Sequence, residues 1–83
     1  MRKNERIRRM NDYGYTALAR LYESDTMQVF ISWSEAQIAA RAGGYNANNV
    51  ILTDCLDVRC ITFLTKKAKS DFFKAFFQAV GWW

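Results

Sequence analysis

The chain has 83 residues, no proline and four glycines, with 51% hydrophobic and 16% aromatic residues. That composition excludes a disordered chain, and the length predicts one domain near the lower limit of unaided folding. Twelve Lys and Arg against eight Asp and Glu give a net charge of +4, enough to steer toward anions but not to demand nucleic acid.

The apolar runs fall well short of the roughly 20 residues that a membrane span needs. The basic N-terminus leads into no apolar segment of the signal-peptide kind, so the expected compartment is the cytoplasm. Cys55 and Cys60 are too few for a disulfide framework. In a reducing compartment they read as small, partly buried hydrophobes, with a pair across a hairpin as the less favoured alternative.

In chain order, residues 1–12 read as a basic N-terminal arm, with Arg2, Lys3, Arg6, Arg8 and Arg9 opposed by Glu5. Ile7 and Met10 allow a short docking helix, but no longer apolar stripe accompanies them, so the arm is expected to be mobile when free. Residues 13–83 read as the compact α+β domain. At 16–22 two patterns compete. Ala17, Leu18, Leu21 and Tyr22 form a helical face, yet residues 23–26 have turn chemistry and 27–33 is a strand rich in β-formers, which favours a hairpin. A length match between 16–32 and 49–65 tips the reading toward the hairpin and toward a ββα–ββα duplication.

Ser34 and Gln37 then form a capping box, with Trp33 and Ile38 as its hydrophobic staple, and Gly43-Gly44 ends the helix they start. Residues 45–49 read as a polar loop, 50–53 as a short strand, 54–58 as a turn and 59–65 as the last strand. The C-terminal stretch 66–83 is the helix on which the core is built. Phe72, Phe76 and Val80 stand at i, i+4 and i+8, with Phe73 and Phe77 widening the stripe. Gly81 fits the C′ position, which pairs Trp82 with Phe77 in a Schellman ending. The expected architecture is an antiparallel sheet of three or four strands with two helices packed on one face.

The chemistry available is narrow. The chain has no histidine, which removes the commonest general base and metal ligand. Two cysteines cannot complete a structural zinc site. Asp54 and Asp57 flank a turn, but they lack the donor run of a calcium loop. The chain therefore reads as a non-enzyme with no metal, cofactor or small-molecule substrate.

Binding is the remaining class, and its first form is contact with a protein or with a second copy of the chain, led by Phe73, Phe77, Trp82 and Trp83. Small accessory proteins of phages and mobile elements often act this way, by occluding or bridging a larger assembly. The alternative is nucleic acid, held by Arg2, Lys3, Arg6, Arg8 and Arg9 together with Lys66, Lys67 and Lys69 near a helix start. A helix-turn-helix is disfavoured, because its second helix over 46–53 would contain Val50-Ile51-Leu52-Thr53 and no Arg or Lys. A membrane surface is disfavoured too, since the Phe-rich helix lacks a strongly charged face.

Overall fold

The computed structural model describes residues 1–41, 50–55 and 58–83. It is an α+β fold with elements in the order α1 (Lys3–Asp12), α2 (Thr16–Glu23), β1 (Gln28–Ser32), α3 (Trp33–Arg41), β2 (Val50–Cys55), β3 (Val58–Phe63) and α4 (Lys66–Val80). The strands form one antiparallel sheet in the order β1-β3-β2, with β3 at its centre. Among the described residues the helices are four where two are expected. The duplication and the basic arm are both overturned.

The hairpin at 16–22 is replaced by α2, and the reason is burial. Leu18, Ala19 and Leu21 are all buried. A strand would turn residues 18 and 21 to opposite faces, whereas a helix brings residues three apart onto one face. With 16–22 helical, β1 pairs with the distant β3, Gln28 lying opposite Thr62 and Ser32 opposite Val58. The length match between the two halves thus aligned a helix with a strand.

Residues 3–12 are a docked helix rather than an arm. Met10 is fully buried at 0% exposure, and Ile7 packs against the same core. Gly14, at φ 84°, stops the helix. Its amide donates to Asn11 O and the Tyr15 amide donates to Met10 O, the bond pair of a Schellman ending. Helix α4 stops in the same way. Gly81 has φ 81°, its amide donates to Gln78 O, and Trp82 N donates to Phe77 O. The bond from Trp82 N to Phe77 O is the Schellman pairing expected, and the Trp82 indole lies on Tyr13 and Phe76, with centroids 5.2 and 6.3 Å away.

Helix α3 starts earlier than the Ser34 box implies. Ser32 is the capping residue, its Oγ accepting from Glu35 N at 3.2 Å and lying 3.3 Å from Glu35 Oε1. Trp33 is the first helical residue and is exposed, with the Arg59 guanidinium 4.2 Å above its ring. The strands also shift: β2 runs to Cys55 and β3 begins at Val58. Because β2 starts at Val50, the second helix of a helix-turn-helix is excluded. Gly43-Gly44, the loop 45–49 and Asp57 lie outside the described residues. The register sets Cys55 opposite Val58 and Cys60 opposite Thr53, so the two cysteines do not face each other, and Cys60 is a buried free thiol.

Among the described residues one core cluster joins the four helices to β1 and β3. It contains Met10 of α1, Leu18 and Leu21 of α2, Ala36 and Ala39 of α3, Ile31, Ile61 and Phe63 of the sheet, and the phenylalanines of α4. Phe72, Phe73, Phe76 and Phe77 are all buried, so Phe73 and Phe77 are core residues and not the exposed contact residues expected of them. Their burial also leaves these rings no role at a lipid surface. Among the described residues no helix is long and apolar enough to cross a membrane. On the opposite sheet face Gln28, Phe30 and Ser32 are exposed.

Candidate functional site

Docking α1 beside α4 creates a feature absent from either element alone. A groove of about 420 Å³ is lined by α1, the turn after α2, and α4. Its cations are Lys3, Arg6, Lys66, Lys69 and Lys74, and its rings are Tyr22, Phe73, Phe77 and Trp83. Glu23 and Asp25 stand on the same lining. Residues from the basic and the aromatic expectations therefore meet in one place.

Two of the cations hold the groove together. The Arg6 guanidinium lies 5.1 Å from the Phe77 centroid and 4.8 Å from that of Trp83. Its Nε donates to Trp82 O at 3.0 Å and its Nη1 to the Tyr22 hydroxyl at 3.4 Å. A cation at the C-terminal end of α4 is favoured there by the helix dipole, and planar guanidinium suits stacking on rings. Arg6 is thus the clamp between α1 and the end of α4. Lys69 does the same for the turn after α2, its Nζ donating to Ser24 O and Thr26 O at 2.7 Å each.

Two of the remaining cations lie against rings of the groove. Lys3 sits 5.6 Å from the Tyr22 centroid and Lys74 sits 5.8 Å from that of Trp83. Lys3, Lys66 and Lys74 are all exposed, and among the described residues none of them forms an ion pair. Trp83 is 55% exposed.

Of the residues singled out from sequence, the groove gathers Lys3, Arg6, Lys66, Lys69, Phe73, Phe77 and Trp83. Phe73 and Phe77 form its floor and are core residues, so truncating either would loosen the fold as well as the groove. Arg2, Arg8, Arg9 and Lys67 are exposed outside it. Lys67 pairs with Asp71 at 2.8 Å, one turn along α4. Trp82 is buried against Tyr13 and Phe76. Sequence reasoning missed Lys74. The signal for Lys74 was present, since it lies two helical turns after Lys66 on the same face.

Lys69 carries an electrostatic mark of its position. Burial pushes its amine below the ordinary 10.5, Asp25 opposes the shift, and Lys3 adds to it. Lys67 moves the other way, raised by its hydrogen bond to Asp71 and by that carboxylate's charge. Lys69 is therefore expected to lose its proton before Lys67 when the Cε resonances are followed by NMR through alkaline pH. The reverse order would remove the partial burial of Lys69 at its two carbonyl partners. With the folded value below the unfolded one, the stability contribution of Lys69 rises as pH climbs from its folded value toward 10.5.

Comparison with protein-family models, curated proteins and solved structures finds no match, so the functional reading rests on the chain's own residues.

Proposed function

We propose that this protein is a small non-enzymatic binding protein that modulates or inhibits a larger assembly by protein–protein contact, and that the groove beside α1 is its contact site. One observation carries the reading: Lys3, Lys66 and Lys74 line a single groove with a half-exposed Trp83. Trp and other large rings are favoured anchors when an interface forms, and charges around them set partner choice and on-rate. The free thiol of Cys60 is compatible with action in the reducing cytoplasm.

Nucleic acid is the second reading, favoured by Arg2, Arg8, Arg9 and Lys67, which are exposed. Arg6 and Lys69 count against it, because both are committed to holding the fold. Deleting residues 1–9 does not separate the two readings, since it removes most of α1.

A photo-crosslinking side chain at position 83 or at position 8, introduced in cells that carry the protein, tests the reading. Position 83 is expected to trap one discrete protein and position 8, outside the groove, to trap none. Equal labelling from both positions, or none from position 83, would overturn it.

A further inference from the structure

Within the reading just given, we infer that the groove takes a short acidic peptide segment of the partner, one that carries an aromatic side chain. Like charges are crowded there. Arg6 and Lys74 both approach the ring of Trp83, at 4.8 and 5.8 Å, and Lys3, Lys66 and Lys69 line the same groove. Each cation added to such a cluster raises the electrostatic energy of the unoccupied protein, and an incoming carboxylate lowers it. The exposed cations of the lining are lysines, compact point charges suited to carboxylates approaching from varied directions.

The apolar half of the groove defines the second requirement. Phe73 and Phe77 are almost wholly buried, so the ring surface that the groove offers is that of the half-buried Tyr22 and of Trp83, which is half exposed. Aromatic rings pair edge-to-face or offset with gains beyond simple burial, so a ring from the partner is the side chain that this wall holds best. The volume, about 420 Å³, falls in the range of about 300–1,000 Å³ typical of ligand sites.

The lining also discriminates between two polyanions. Glu23 and Asp25 share the groove with the lysines. A nucleic-acid strand presents phosphates and no charge-neutralising donors along its backbone, so both carboxylates repel it. A peptide backbone presents an N–H at every residue, and those carboxylates accept hydrogen bonds from it. The same two residues also repel the peptide's own side-chain carboxylates, so the discrimination rests on the backbone amides, which a peptide has and a nucleic-acid strand lacks.

The test is fluorescence anisotropy with the full chain and a fluorescein-labelled peptide of Glu and Asp around one central Phe. Its comparators are the same peptide with Ser for Phe, a Lys-for-acid counterpart, and a labelled oligothymidylate of matching charge. The acidic Phe peptide is expected to bind, to weaken as salt rises from about 50 to 200 mM, and to prefer this protein over the Lys–Glu swapped K3E/K74E variant by about tenfold or more. Lys3 and Lys74 are exposed, so that variant is expected to keep its circular dichroism spectrum and its melting temperature. Trp83→Ala is expected to erase the advantage of Phe over Ser. Failure of the acidic peptide to bind, equal binding by the Lys counterpart, tighter binding of the oligothymidylate, or indifference to K3E/K74E would each overturn the inference. Crosslinking from position 83 separates the two levels: a trapped protein with no acidic-peptide binding removes the acidic occupant and keeps the protein-contact reading, whereas loss of both removes both.

Discussion

Met10→Ala is expected to destabilise the fold by about 2–5 kcal/mol, read as a lowered urea midpoint by circular dichroism. Met10 is wholly buried at 0% exposure, and its carbonyl accepts the Tyr15 amide in the turn that joins α1 to α2. Truncation there leaves a cavity where α1 meets the core and loosens the helix that positions Lys3 and Arg6. A domain of this size has only about 5–15 kcal/mol of net stability, so a loss in that range is a large share. Arg8→Ala on the exposed side of the same helix is the control and is expected to change stability by less than about 0.5 kcal/mol. Were residues 1–12 a free arm, the two substitutions would cost the same small amount. Equal and small effects would therefore detach α1 from the core and dismantle the groove with it.

How far the sequence discloses this molecule depends on the range of the interaction. Helix α4 was legible because its signals are local: the Phe stripe repeats at helical spacing and Gly81 marks the stop. Helix α1 carried a local signal as well, Gly14 at the αL position, but its apolar pair Ile7 and Met10 gives no stripe until α2 and α4 are placed beside it. At α2 the spacing of Leu18 and Leu21 spoke for helix, and the apparent repeat outweighed it. The start of α3 shows the limit most clearly. Ser32-Trp33-Ser34-Glu35 and Ser34-Glu35-Ala36-Gln37 both read as capping boxes, and choosing between them needs the knowledge that Glu35 also serves another helix. The groove was hidden for the same reason. Arg6 and Trp82, the pair that closes it, are 76 residues apart and meet only in the folded chain.

Glu35→Ala is expected to be among the most damaging single changes outside the aromatic core, costing about 2–4 kcal/mol from the stranded amide and the lost helix-end charge together. Glu35 is 4% exposed, and its Oε2 accepts from Leu18 N at 2.9 Å. That amide is in the first turn of α2, where Tyr15 at the cap position supplies no side-chain acceptor. A helix leaves its first four amides without internal partners, and here a carboxylate from the next helix takes one of them. Its other oxygen lies 3.3 Å from Ser32 Oγ, the hydroxyl that caps α3, so one buried side chain ties together the starts of two helices. Glu35→Gln keeps an acceptor for Leu18 N but drops the negative charge, and is expected to cost about 1 kcal/mol. Ser32→Ala removes the cap of α3 alone, again about 1 kcal/mol. Because Ser32 and Glu35 touch, the double replacement by Ala should cost less than the sum of the single ones, with a coupling of about 0.5 kcal/mol or more. Urea unfolding of the four variants decides it. Strict additivity would mean that Ser32 and Glu35 act independently, and a Glu35→Ala cost no larger than that of Ser32→Ala would mean that α2 starts without the carboxylate. The link from α3 to α2, which ends at Glu23 and leads into the turn bearing Asp25, would then have to be carried by apolar packing alone.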